Sequence, residues 1–214
     1  ETAKEFGDAI TADHKILNED DMSRTSDKNC CIIQDRATSW LQSYEAPTKN
    51  TADTKKAVQK YLGPQGKAKH VYTDNSKEFE KAFEELGFSH DTSTPHRPET
   101  NGVAERAVRK VKEGTACVLS QSGLSDEWWV LAMHAYCFLF NALEILKSGH
   151  TAYFQRFGID YKGPEIPFGA EIVYQPIYPK DKQRVHAFGD KVLQGIFVGY
   201  QQQRPLGSGL GRSQ

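Results

Sequence analysis

Three acidic residues stand where strands end or a helix begins, rather than on solvated helix faces. Asp13 closes the β-type run Gly7-Asp8-Ala9-Ile10-Thr11-Ala12-Asp13, Asp74 follows His70-Val71-Tyr72-Thr73, and Glu105 lies in the first turns of a long amphipathic segment. Strand ends of α/β sheets are where sites tend to form. Carboxylate oxygens are the hard donors that Mg2+ prefers. Two such ions about 3.5–4 Å apart clamp the attacking and leaving oxygens of an in-line phosphoryl displacement. With 28 Asp and Glu in the chain, some triple at strand ends arises by chance, so the flanking residues carry the weight.

The elements that must position these acids follow from the hydrophobic pattern. Two strands joined by a tight turn are expected between Cys30 and Tyr44, around the polar Gln34-Asp35-Arg36. A helix starts at Thr51, with Thr51 or Asp53 as its cap, and stops at Gly63-Pro64. Strand 70–73 leads into a helix over 78–86 ended by Gly87, and a further strand runs 88–94. After Pro95, Pro98 and Gly102, the long helix is predicted from about Asn101 to about Ser120, and Ser125-Asp126-Glu127 caps an apolar helix from Trp128. Strands followed by strands alternating with helices predict an α/β domain with a mixed sheet covered by helices, ending near residue 147. Gly and Pro then break the chain into short strands over 171–174 and 193–200, a small β appendage. Residues 201–214 have the composition of a flexible tail.

The segments Thr73-Asp74-Asn75-Ser76-Lys77-Glu78-Phe79 and Thr94-Pro95-His96-Arg97-Pro98-Glu99-Thr100-Asn101-Gly102-Val103-Ala104-Glu105-Arg106 resemble the second and third acidic motifs of the retroviral and retrotransposon integrase core. Ile10-Thr11-Ala12-Asp13-His14 is similar to the first. The resemblance is closest to the copia-type branch of retrotransposon Pol polyproteins, whose third motif reads Pro-x-x-Asn-Gly-Val-Ala-Glu-Arg. Residues 167–174 and 195–200 look like the β region after copia-type cores, so the match runs in order over roughly residues 7–200.

That resemblance implies a ribonuclease-H-like mixed sheet flanked by helices. Residues 7–147 would be the catalytic core and 148–200 a partial C-terminal β region. Asp13, Asp74 and Glu105 would be the catalytic acids, holding Mg2+ or Mn2+, two ions in all. The implied chemistry is a polynucleotidyl transfer: water attacks first, then the exposed DNA 3′-hydroxyl attacks a target phosphodiester. Element ends and target DNA are the expected partners, in a homo-oligomer, with no small-molecule substrate. The setting is intracellular, and nuclear when host DNA is the target. The spacing departs from the family pattern, since 30 residues lie between Asp74 and Glu105, a few fewer than usual, which predicts a short connecting loop. An amino-terminal His/Cys zinc module is not expected in this stretch, and the carboxy-terminal part is expected to be shortened.

On a helix, Glu105, Arg109 and Lys112 fall at i, i+4 and i+7 on one face, while Val103, Ala107, Val111 and Val118 favour another. The face shared with an acid makes Arg109 and Lys112 candidate phosphate contacts, with Arg106 and Lys110 broadening the patch. Asn101 is a candidate for helix capping, DNA contact or both. His14 and His96 adjoin the acidic motifs but are left outside the metal set.

Composition sets the outer bounds. The 214 residues hold 27 Lys and Arg against 28 Asp and Glu, 38% apolar and 26% charged, with a mean hydropathy of −0.63. That describes a globular protein and excludes a histone-like polycation, yet a local basic cluster is enough to grip phosphate. Residues 147–214 carry nine basic and five acidic residues, so overall neutrality hides a basic appendage. No basic and apolar pattern of a secretory signal is read near residue 1, so none is expected in this stretch. The apolar stretch 128–146 is interrupted by His134, Asn141 and Glu144, so a buried helix is expected and no membrane span. Cys30, Cys31, Cys117 and Cys137 lack C-x-x-C spacing and read as reduced, buried thiols. Two alternatives keep the same fold: a catalytically silent, integrase-derived DNA-binding or interaction module, and a ribonuclease-H-like nuclease that cleaves without joining.

Overall fold

The computed structural model describes residues 3–63, 65–93, 102–186 and 188–200. Pro64, residues 94–101 with His96 and Asn101, and the tail at 201–214 lie outside the described residues.

Five strands form one mixed sheet in the order β3-β2-β1-β4-β5: β1 (Ala9–Ile16), β2 (Asn29–Asp35), β3 (Leu41–Ala46), β4 (His70–Thr73) and β5 (His90–Thr92). β1, β2 and β3 pair antiparallel, while β1, β4 and β5 pair parallel. Alternation along β2 divides the core in two. Cys31 and Ile33 join Ile10 and Ala12 beneath helices α1 (Thr51–Leu62) and α2 (Lys77–Leu86). Cys30 and Ile32 face α3 (Gly102–Ser122) and α4 (Trp129–Leu143). A strand that is apolar on both faces is what helix layers on both sides require.

The helices bury the stripes their periodicity predicts. α1 buries Ala57, Val58 and Tyr61, α2 buries Phe79, Ala82 and Phe83, and α3 buries Ala104, Ala107, Val111, Thr115 and Leu119. Each fully buried Phe contributes about 1.5–3 kcal/mol. Gly87 ends α2 in the left-handed region, as its position predicts. The cap of α1 is Asn50, whose side chain accepts from the Asp53 amide, and not Thr51 or Asp53. Asn is as good a cap as Asp.

Two contacts fix α4. Asn141, fully buried, accepts from the Leu41 amide at 2.9 Å and donates to the Leu41 carbonyl at 2.7 Å, so its amide serves as a one-residue strand partner for β3. At the α3–α4 crossing, Gly114 faces the Tyr136 ring, and a Cβ there would come within 2.1 Å of it. No described helix is long and apolar enough to cross a membrane. A 3-10 turn, Asp126–Trp128, precedes α4, so the helix proper begins one residue after the expected Trp128.

Past residue 147 the chain first returns to this core. Helix α5 (Ala152–Phe157) buries Ala152 and sets Tyr153 and Phe157 against Trp40, with the Arg156 guanidinium over the rings of Phe6 and Trp40. Strands β6 (Glu171–Tyr174) and β7 (Leu193–Ile196) then form a separate antiparallel pair, with the short helix α6 (Pro179–Lys182) between them. The Tyr200 ring stacks on Phe138 of α4 at 4.1 Å, and its hydroxyl accepts from the Ile166 amide. The four cysteines are free; Cys30, Cys31 and Cys137 are buried as expected, but Cys117 lies on the exposed side of α3.

Candidate active site

Sheet register sets the geometry. The last parallel pair between β1 and β4 joins Thr11 to Tyr72. Two residues past this pair in sequence are Asp13, still within β1, and Asp74, one residue past the end of β4. β4 has ended at Thr73 by this point, while β1 continues to Ile16 against β2. Asp13 is therefore not at a strand end, as the sequence pattern predicts, but in mid-strand where one neighbour departs. The opening beside it is equivalent: a carboxylate at the carboxyl ends of parallel strands, flanked by the turn Asp74-Asn75-Ser76 into α2.

Side-chain alternation turns Asp13 and His14 to opposite faces. His14 packs its ring on Phe79 at 4.3 Å and lies 3.2 Å from Thr54 Oγ1 through Nε2. Thr54 Oγ1 already donates its one proton to the Asn50 carbonyl at 2.8 Å, so His14 Nε2–H is the donor to Thr54. Nδ1 is then the bare acceptor, and it is buried with no partner. Burial, reinforced by the Lys49 charge, holds the imidazole down at about 4, so it is neutral at pH 7. His14 is thus a hydrogen-bonded histidine, carried by a strand.

Asp13 feels the neighbouring acids. Burial raises its carboxyl to about 6, against a hydrogen bond from the His14 amide at 2.7 Å; Asp74 and Glu105 push it up further and Lys49 pulls it down. Asp74 Oδ1 is buried and accepts no hydrogen bond, and Ser76 Oγ beside it is likewise unpartnered. Buried polar atoms without partners are rare, and a bound ion is one of the things that accounts for them.

These donors fit a hard divalent cation in kind: two adjacent aspartates, one with an unpartnered oxygen, and a third acid near enough to act on the first. The ligand set does not close, however. Among the described residues no three His, Cys, Asp or Glu side chains are close enough to hold one metal ion. Glu105 is exposed on the first turn of α3, directly after residues 94–101.

The basic residues of α3 separate into two groups. Arg109 and Lys112 are exposed on the turns following Glu105, and Arg106 is exposed with its guanidinium near Gly102. Lys110 points elsewhere, its ammonium 4.2 Å over the Phe140 ring of α4, where burial lowers its affinity for the proton. Lys110 therefore does not share the acid face, since five residues along a helix turn it well away from Glu105.

Sequence reading misses Lys49. It lies just before the α1 cap, pairs with Glu78 of α2 at 3.6 Å, and acts on both Asp13 and His14. Nothing local distinguishes it from any surface lysine, because its neighbours come from β1 and α2.

No protein-family model matches the chain. Among curated proteins it is 31% identical over 133 residues to the retrovirus-related Pol polyprotein from transposon RE1 of Arabidopsis thaliana, covering 60% of this chain and 9% of that protein. It is 34% identical over 80 residues to the corresponding polyprotein from transposon TNT 1-94 of Nicotiana tabacum, covering 35% of this chain and 6% of that one. The chain thus spans less than a tenth of the length of these relatives. Among solved structures, the catalytic core domain of BIV integrase superposes with a TM-score of 0.51 at 18% identity, covering 69% of this chain and 91% of that one. The HTLV-2 integrase catalytic core domain in complex with magnesium gives 0.52 at 18%, covering 70% and 95%. A simian T-cell lymphotropic virus intasome in complex with the PP2A regulatory subunit B56 gamma gives 0.59 at 15%, covering 92% and 69%. The resemblance carried by the acidic motifs is borne out: the chain's sequence relatives are retrovirus-related Pol polyproteins from transposons, and its fold is the ribonuclease-H-like fold of retroviral integrase catalytic cores.

Proposed function

We propose that this chain contains the core of an integrase-type polynucleotidyl transferase that cleaves the ends of a retrotransposon's DNA and joins them to target DNA, with residues 7–147 as the catalytic unit. The observation that supports this reading is the β1–β4 register that brings Asp13 beside the turn carrying Asp74, with an unpartnered Asp74 oxygen and the charges of Asp74 and Glu105 acting on Asp13. The Pol polyprotein relatives and the integrase-core fold support it.

Asp13, Asp74 and Glu105 would hold Mg2+ or Mn2+. The bound ions would activate the attacking oxygen and stabilise the leaving one. The chain's own contribution is positional. The β1–β2 ladder fixes Asp13, and the Thr73 hydroxyl, donating to the Asp74 carbonyl at 2.7 Å, fixes the turn that carries Asp74. Arg109 and Lys112, with Arg106 nearer the helix start, would hold DNA backbone phosphates on either side of the scissile one, and Asn101 would meet DNA beside them. Joining two element ends in one event calls for a homo-oligomer, and joining to host DNA calls for a nuclear site of action.

The test is strand transfer by the purified chain on labelled element-end DNA with Mn2+. Asp74→Asn is expected to reduce joining by roughly 10³-fold or more. Joining at the wild-type rate by Asp74→Asn would overturn the proposal, and hydrolysis without joined product would favour the nuclease alternative.

A further inference from the structure

We propose that His90 is a positioning residue for Asp74: its ring nitrogen, acting through the Thr73 hydroxyl, holds the backbone that aims the Asp74 carboxylate. The proposal rests on the reading of Asp74 as a metal ligand.

Three observations carry it. First, a relay of hydrogen bonds joins the two residues. Thr73 Oγ1 donates to the Asp74 carbonyl at 2.7 Å, and His90 Nε2 lies 2.8 Å from the same hydroxyl oxygen. A hydroxyl has a single proton to give, so His90 Nε2–H is the donor to Thr73. Second, the other side of Asp74 is held from the same strand: the Ser93 amide, just past β5, donates to the Thr73 carbonyl at 2.9 Å. The peptide planes before and after the Asp74 Cα are thus both tied down, one by Ser93 and one by Thr73 with His90 behind it. Two fixed planes set the direction of the Cα–Cβ bond between them. Third, Asp74 Oδ1 is buried and accepts no hydrogen bond, so at this oxygen the aim of the carboxylate comes from the backbone.

His90 is itself placed by the sheet and the core. The β4–β5 register sets it opposite Val71, and alternation gives Val71, Thr73 and His90 the same face. Its ring packs at 4.8 Å on Phe83, a fully buried residue of α2. The N–H occupies one side of Thr73 Oγ1 and directs the hydroxyl proton to the Asp74 carbonyl. Without that donor the hydroxyl rotates freely, and the plane after Asp74 loses its restraint. Groups behind a metal ligand matter because they fix its orientation. A histidine that merely fills space beside Phe83 would be replaceable by any ring.

The experiment titrates Mn2+ into the full chain and its variants, reading free Mn2+ by electron paramagnetic resonance, with thermal unfolding measured in EDTA. His90→Phe keeps a ring against Phe83 and removes the donor. It is expected to bind Mn2+ roughly tenfold more weakly, the lower end of the range for groups behind a metal ligand. His90→Gln, whose amide nitrogen donates from nearly the same place, should bind as wild type does. Thr73→Val should bind at least as weakly as His90→Phe, and the double variant no more weakly than Thr73→Val alone, since the two groups act in series. Where wild type has a saturable Mn2+ site that Asp74→Asn removes, wild-type affinity in His90→Phe, no recovery in His90→Gln, or additive losses in the double variant overturns the inference. If His90→Phe does not fold, wild-type affinity in Thr73→Val overturns it instead. Wild type without such a site overturns the metal-ligand reading, and this inference with it.

Discussion

Two places along β1 treat the aspartates beside them in opposite ways. At the start of β1, Ile10 pairs with Asp35, a fully buried residue whose carboxylate accepts four hydrogen bonds: from the amides of Gly7, Ala37 and Thr38 and from the Thr38 hydroxyl. Three residues further along β1, Asp13 accepts one bond, from the amide of its own neighbour, and near it Asp74 Oδ1 and Ser76 Oγ are buried with no partner. The first arrangement closes the β2–β3 turn and holds the segment before β1. The second leaves desolvation and charge repulsion unrelieved. Asp35 spends its oxygens on the turn it holds, while the oxygen of Asp74 beside Asp13 is left buried with no partner.

The largest expected effect lies at Asp35. Asp35→Ala leaves four donors without an acceptor and should destabilise the chain by about 3–5 kcal/mol in chemical denaturation. A loss below about 1 kcal/mol would break the contrast.

At Asp13 the sign reverses. The Asp13 carboxyl is raised in the folded state, so the fold binds its proton more tightly than the unfolded chain does. Its ionisation therefore costs stability progressively as pH rises from about 4 to about 6, and the full cost applies above that window. Asp13→Asn should stabilise the chain in EDTA by on the order of 1–2 kcal/mol at pH 7.5, discounted for partial exposure, with no gain near pH 4. Added Mn2+ should cancel that advantage by stabilising only the wild type. Calorimetric melts at the two pH values, with and without Mn2+, measure all of this.

The smallest effects separate the lysines and arginines of α3. Arg109→Ala and Lys112→Ala should each weaken DNA binding nearly uniformly across sequences and reduce the slope of log affinity against log salt by about 1. Lys110→Ala, which removes a cation packed over Phe140, should leave that slope unchanged. Fluorescence anisotropy over a salt series distinguishes them.

Much of this was legible in the sequence because it is local. The run before Gly87 reads as a helix, the strand over 70–73 is found at its expected limits, and the acids announce themselves through flanking residues that need no tertiary information. What escaped depends on residues distant in sequence. Asp13 is a strand end for β4 but not for β2, and only the pairing register shows this. The cap falls on Asn50, one residue before the predicted Thr51, where its side chain meets the Asp53 amide. Lys49 and Glu78 lie 29 positions apart, and an ion pair between two helix starts leaves no periodic trace. Lys110, which the sequence offers with Arg106 as a broadening of the basic patch, lies over an aromatic ring that belongs to α4.

The contrast between the two places along β1 reduces to one claim, that the unpartnered oxygens beside Asp13 and Asp74 are kept for a divalent cation. Its most direct test is the water-proton relaxation of the metal-free chain titrated with Mn2+. A saturable site that Mg2+ displaces, and that Asp74→Asn weakens by at least about tenfold, is the predicted result. Binding undiminished in Asp74→Asn would contradict it.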